Sequence, residues 1–189
     1  MPSSALLPLL DRITALKLLP RTGWLFAGIA QPESIADHTA AVALLTLLLA
    51  SEINCDFAAY QLDRPLDIGR SVQIALVHDL AESMLTDLPK RSTELIGESV
   101  KHAAESSALH EMLAAHPAQD DVIRYWQEYS DASTPEGRLV RDVDKLEMIH
   151  QALRYEQAGN RNLNEFFRTH RWHYTLSESL YSSLYNSRN

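Results

Sequence analysis

Nowhere in this chain do apolar and polar residues alternate with the two-residue period of a half-buried strand; apolar positions recur at intervals of three and four instead. Leu6, Leu9, Leu10, Ile13, Leu16 and Leu19 set the pattern between Ala5 and Leu19, and Pro20 ends it. Arg21 to Pro32 reads as a loop. Ser34 is placed to cap a helix reaching about Ile53, with a run from Ala40 to Ala50 that only Thr46 interrupts. A helix apolar almost all round is expected to lie buried at the centre of a bundle. Asp67 caps the next, which the spacing carries through about Met84 before Thr86-Asp87-Leu88-Pro89 breaks it. Glu94 to His116 reads as a helix with a polar outer face, stopped by Pro117, and Gln119 to Ser130 as a shorter one. Ser133-Thr134-Pro135 opens another that runs to about Gln157, since a capping hydroxyl precedes proline in the first turn. The last covers Ser177 to Tyr185. The expectation is one all-α domain over residues 1–189, with roughly six to eight helices.

Several function classes are excluded by composition. The formal charge is −8, with acidic residues spread along the chain. Binding a long nucleic acid needs the opposite balance or a basic stripe, and Lys90-Arg91 is too short to be one. The longest apolar run falls short of the roughly 20 residues that span a bilayer. Met1-Pro2-Ser3-Ser4 does not read as a signal peptide, and Cys55 is the sole cysteine, so a cytoplasmic protein is expected, with no membrane partner. A small phosphorylated ligand stays compatible with the charge, because a metal and one or two cations overcome the global field locally.

His38, His78-Asp79 and Asp144 each fall inside a helical pattern rather than in a loop. Ionisable groups on apolar helices are costly unless they are paired or bind a metal. Neighbours on a helix diverge by about 100°, so an adjacent His-Asp pair can converge on one ion beside the helix. His38 and Asp144 from two further helices would complete a four-residue site suited to a divalent cation. Glu82, four residues after His78, shares that helix face and is placed to act as general acid or base. Asp142 competes with Asp144, but residues two apart on a helix point to nearly opposite sides, so only one can be a ligand. Read singly, His38 is better taken as a buried structural histidine than as a ligand, and Asp144 as a partner of Lys145 or Arg141.

The stretches Pro20-Arg21-Thr22-Gly23-Trp24, Pro32-Glu33-Ser34-Ile35-Ala36-Asp37-His38, Ala75-Leu76-Val77-His78-Asp79-Leu80-Ala81-Glu82 and Val140-Arg141-Asp142-Val143-Asp144-Lys145-Leu146-Glu147-Met148 stand in order along most of the chain. Together they resemble the HD-domain-containing protein 2 family, relatives of the bacterial YfbR-type 5′-deoxynucleotidases. The resemblance implies an HD-domain helical bundle and a homodimer. It also implies hydrolysis of deoxynucleoside 5′-monophosphates, a small nucleotide substrate, with one divalent ion: cobalt, manganese or magnesium. Carried over by position, it makes His38, His78, Asp79 and Asp144 the metal ligands and Glu82 the catalytic carboxylate; its aspartate-x-leucine pattern prefers Asp144 to Asp142. Asp87 matches an aspartate that lies against the sugar and disfavours a 2′-hydroxyl, and Trp24 a tryptophan near the nucleotide. The bacterial pattern has arginine directly before tryptophan, whereas Arg21 stands three residues before Trp24. Arg21 and Lys90 are the candidate cations for the phosphate.

Other readings keep the site and change its use: a nucleoside triphosphate, a cyclic nucleotide or a metabolite phosphate as substrate, or nucleotide sensing without turnover. A two-metal oxygenase would recruit His102 or His110, but these share a charge-rich helix face with Glu98, Lys101 and Glu105, which reads as solvated. His116, His150, His170 and His173 read as surface or loop residues. Tyr125, Trp126 and Tyr129 are spaced as a core face.

Overall fold

The computed structural model describes residues 6–114, 116–168 and 170–188. Ten α-helices follow one another among them: α1 (Leu7–Leu18), α2 (Thr22–Phe26), α3 (Ile35–Cys55), α4 (Ile68–Val77), α5 (Glu82–Leu85), α6 (Lys90–Ile96), α7 (Glu98–Met112), α8 (Gln119–Asp131), α9 (Pro135–Gln157) and α10 (Thr175–Asn186). Two single 3-10 turns, Phe57–Tyr60 and Asn164–Phe167, lie between them. The seven helices of ten or more residues are the ones read from periodicity. Ala5, taken as the start of α1, lies outside the described residues. No strand occurs among the described residues, so the all-α expectation holds.

Local chemistry sets the helix starts. Ser34 accepts the Asp37 N–H while the Asp37 carboxylate accepts the Ser34 N–H, a reciprocal capping box that opens α3. Asp67 caps α4 through the Arg70 N–H, and Thr134 caps α9 through the Gly137 N–H. In α9 the chain turns so tightly that a Cβ on Gly137 would stand 2.2 Å from the Glu128 carbonyl oxygen. Only glycine fits where α8 and α9 meet.

α3, α4, α8 and α9 pack together as the central bundle, and α10 closes over α9. Val42, Ile53, Ile74, Leu139, Val140 and Val143 are fully enclosed between them, each worth about 1.5–3 kcal/mol in removal from water. A second cluster, around Trp24, Ile149 and Leu163, seals the far end of α9. α7 packs on α5, α6 and α8, with Ala108 and Leu109 against Ala81, Ile123 and Trp126.

Four expectations need correction. The stretch from Arg21 to Pro32, read as a loop, contains the short helix α2. The helix read from Asp67 to Met84 is two pieces. The His78 ring N–H takes the Ala75 carbonyl at 2.7 Å, and the bonds that follow are tighter three-residue ones: Leu80 to Val77, Glu82 to Asp79 and Ser83 to Leu80. His78 and Asp79 therefore lie in a turn between α4 and α5. The helix read from Glu94 to His116 is also split, because Gly97 adopts φ +94°, and the segment from Lys90 forms its own helix, α6. Finally, α3 is not enclosed on all sides: Leu44 and Leu48 are each 64% exposed. Among the described residues α3 is the one helix long and apolar enough to cross a membrane, yet its other face packs on α4 and α9 and carries His38.

Candidate metal centre and active site

Three segments bring the site together. His38 projects from the first turns of α3, His78 and Asp79 from the turn after α4, and Asp144 from the middle of α9. His38 Nε2 lies 3.1 Å from Asp144 Oδ1, 3.4 Å from His78 Nε2 and 3.7 Å from Asp79 Oδ2. His78 Nε2 stands 3.1 Å from Asp79 Oδ2. The imidazoles form the floor, with no exposed side-chain surface, while Asp79 and Asp144 keep 12% and 22% exposed at the mouth.

The donor set fits a divalent cation. A carboxylate and a carbonyl only accept, so Glu147 at 2.6 Å and the Ala75 carbonyl place the N–H of each ring at Nδ1. Both Nε2 atoms then present lone pairs toward one another and toward two carboxylates. Such an arrangement is repulsive unless a cation, or a proton on one ring, lies between them. His38, His78 and Asp144 offer donor atoms within 4.8 Å of one another. Glu147 behind His38 and Tyr129, whose hydroxyl donates to Asp144 Oδ2 at 2.7 Å, fix the orientation of two of the donors.

The electrostatics follow from crowding. Burial alone would raise the Asp79 and Asp144 carboxyls, but His38, His78 and Arg21 outweigh it and hold both below the usual carboxylate range. Burial and Arg21 would depress His38; bonds to Asp144 and Glu147 prevail and push it up to about 9 without a metal. Arg21 donates to Asp79 at 3.1 Å, and although burial works against its charge, Asp79, Asp87, Asp144 and Glu82 keep it firmly cationic. Glu82, the first residue of α5, is 4% exposed, and its Oε2 is buried without a hydrogen-bond partner. Burial first, then Asp79 and Asp87, raise its pKa well above the ordinary glutamate value.

Asp87 is held by Thr22, whose N–H donates to Oδ2 at 2.5 Å and whose hydroxyl donates to the Asp87 carbonyl at 2.7 Å. Pro20 and Ser34 bridge the loop between α1 and α3, which sets Arg21 and Thr22 against these carboxylates. Trp24 is 2% exposed, packs on Tyr155 and Phe166, and donates its indole N–H to Glu33 at 2.9 Å. It thereby anchors Glu33, which lies beside Glu147 and His38. Lys90 is 81% exposed beside Glu94, too solvated to serve the cluster.

Asp142 and Asp144 separate as helix geometry requires. Asp142 is fully buried and accepts from the His173 and Tyr174 N–H groups and the His173 ring, tying the segment before α10 to α9. Sequence reading missed Glu147, Tyr129 and Glu33. Glu147 stands three residues after Asp144, on the same face of α9, and that spacing was the available signal. His102 is exposed and stacks on Trp126, and His110 is exposed.

Two histidines and two aspartates from α3, the turn after α4 and α9, with the His-Asp pair adjacent in sequence, are the arrangement of a metal-binding helical protein of the HD type. The HD domain family model matches residues 13–178, and the chain belongs to that family. HD domains bind divalent metal. Among similar proteins, the 5′-deoxynucleotidase hdd1 of Schizosaccharomyces pombe is 37% identical over 172 residues, spanning 87% of this chain and 80% of the relative. The 5′-deoxynucleotidase HDDC2 of Homo sapiens is 30% identical over 86% of this chain and 75% of its own length. The crystal structure of a protein from Pyrococcus horikoshii OT3 superposes with a TM-score of 0.78 at 35% identity, covering 94% of this chain and 96% of the other. A conserved hypothetical protein from Pyrococcus furiosus gives 0.72 at 40% identity over 84% and 85%.

Proposed function

We propose that this protein is a divalent-metal-dependent phosphomonoesterase that converts deoxynucleoside 5′-monophosphates to deoxynucleoside and phosphate. The observation that carries the reading is Glu82: its carboxylate is buried beside the metal-binding cluster with Oε2 left without a hydrogen-bond partner, which places it to exchange a proton with a water or leaving group there. The names of the relatives supply the substrate class.

His38, His78, Asp79 and Asp144 would hold one ion, drawn from cobalt, manganese and magnesium. When bound, the metal supplies Lewis-acid charge that activates water and offsets charge on the phosphoryl group. Glu82 takes a proton from the attacking water as its oxygen bonds to phosphorus and the P–O5′ bond breaks. The departing O5′, on the far side of phosphorus, takes its proton from solvent water, and Glu82 gives its own back to solvent. Arg21, 15% exposed and held at one nitrogen by Asp79, keeps other N–H groups for the phosphoryl oxygens.

Asp87 gives the preference for deoxyribose. Its carboxylate is pinned by Thr22, so it does not yield the space that a 2′-oxygen needs. Phosphate release should be measured on paired deoxynucleoside and ribonucleoside 5′-monophosphates. The wild type is expected to favour the deoxy forms, and Asp87→Ala to narrow that preference by about tenfold, or about 1.4 kcal/mol. Equal rates on both sugars in the wild type would remove this role. Activity confined to triphosphates or cyclic nucleotides would overturn the substrate class.

Leu44 and Leu48 lie on one face of α3, and α1, packed across α3, adds exposed Leu7 and Leu10. An apolar face of this kind fits a second copy of the chain, so a homodimeric mass is expected from light scattering. A monomeric mass at micromolar concentration would contradict this. The one cysteine, Cys55, is free and exposed, which suits the cytoplasm.

A further inference from the structure

α7 was expected to turn its charges to solvent, yet two of them point inward. Its inner stripe runs Lys101, Glu105, Ala108 and Met112, at intervals of four, three and four. Ala108 is buried against Ala81 and its neighbours, and Met112 accepts a contact from the Ser83 hydroxyl at 3.6 Å. This stripe therefore packs on the segment that holds His78, Asp79 and Glu82. Lys101 and Glu105 extend it toward the N-terminal end of α7, with side chains only 25% and 17% exposed and Nζ 3.5 Å from the carboxylate.

Lys101 shares its electrostatic neighbours with Arg21. Arg21 bonds Asp79 directly, and Lys101 lies on the helix face that packs on the segment carrying Asp79 and Glu82, so the charges of Glu82, Asp79 and Asp87 act on both cations. A phosphomonoester dianion presents three non-bridging oxygens. A metal and Arg21 between them leave an oxygen for a further donor, and Lys90 is exposed beside Glu94.

We propose that Lys101, steered by Glu105, is a second cationic ligand of the substrate's phosphate group. One ammonium N–H faces Glu105 and two remain for phosphate oxygens. This inference rests on the phosphomonoesterase reading for its substrate, but binding of phosphate can be tested without turnover.

The experiment is calorimetric titration of inorganic phosphate into the metal-loaded wild type, Lys101→Met, Lys101→Arg and Glu105→Gln, with steady-state kinetics on a deoxynucleoside monophosphate alongside. Lys101→Met is expected to weaken phosphate binding and to raise KM by about tenfold or more, with metal affinity and melting temperature unchanged. Lys101→Arg should recover part of the loss, and Glu105→Gln should lose less than Lys101→Met. Unchanged phosphate affinity in Lys101→Met overturns the proposal. So does a shifted pH profile with unchanged KM, which would mean that Lys101 acts only through Glu82. If the wild type hydrolyses no monophosphate, the kinetic arm fails with the phosphomonoesterase reading, and the calorimetric arm still decides the role of Lys101.

Discussion

Replacing Glu82 with glutamine is expected to lower phosphate release by about 10²–10⁴-fold while making the metal-free protein more stable. Both effects come from one geometry. Oε2 is buried with no partner, and Asp79 and Asp87 add like charge. Leaving a buried polar group unsatisfied costs about 1–3 kcal/mol, more when it is ionised. A glutamine amide is neutral and can donate toward those carboxylates. The sign with pH follows from the raised folded-state pKa. Stability from the protonated carboxyl is fully present below the unfolded value, near 4.3, and is lost as the pH rises through the folded value. The variant should therefore melt no higher than the wild type at about pH 4. It should melt higher at about pH 8, by roughly 2–4 °C for each kcal/mol. Thermal melts of chelator-treated protein at the two pH values check this. A variant less stable at both would show that Glu82 has a structural partner.

The second large effect is expected at Asp144. Asp144→Ala removes a donor from the mouth of the cluster and leaves the Tyr129 hydroxyl without its acceptor. Metal content measured after dialysis should fall from about one ion per chain to near none, and phosphate release should fall to background. Glu147→Gln should sit between the extremes. It keeps an acceptor for His38 Nδ1 but removes the charge that makes the ring a stronger ligand, so metal affinity should drop roughly 10–100-fold. Full metal content in Asp144→Ala would take that residue out of the centre and reopen the case for Asp142.

Much of the centre was legible from ionisable groups set in apolar helical patterns, where burial demands a partner, joined to the ordered motifs that resemble the HD-domain-containing protein 2 family. His38, His78, Asp79 and Asp144 are brought within a few ångströms of one another on that logic. What periodicity could not supply was the break after Val77, since that depends on a side chain, His78, competing for a backbone carbonyl. Helix spacing put Glu82 on the site side through a continuous helix; it arrives there through a tightened turn instead. The α6–α7 boundary turns on one glycine with positive φ. Lys101 and Glu105 were assigned to solvent because charge usually marks the outer face, a rule that fails where a helix covers an acidic site. Leu44 and Leu48 show the converse: an apolar pattern all round a helix does not require that the fold enclose every face of it.

The central claim is tested most directly by phosphate release from a deoxynucleoside 5′-monophosphate, using protein stripped of metal by a chelator and then reloaded with cobalt, manganese or magnesium. The account predicts no release from the stripped protein, and release restored by at least one ion on addition of about one equivalent per chain. Undiminished release from the stripped protein, or none with any of the three ions, would contradict it.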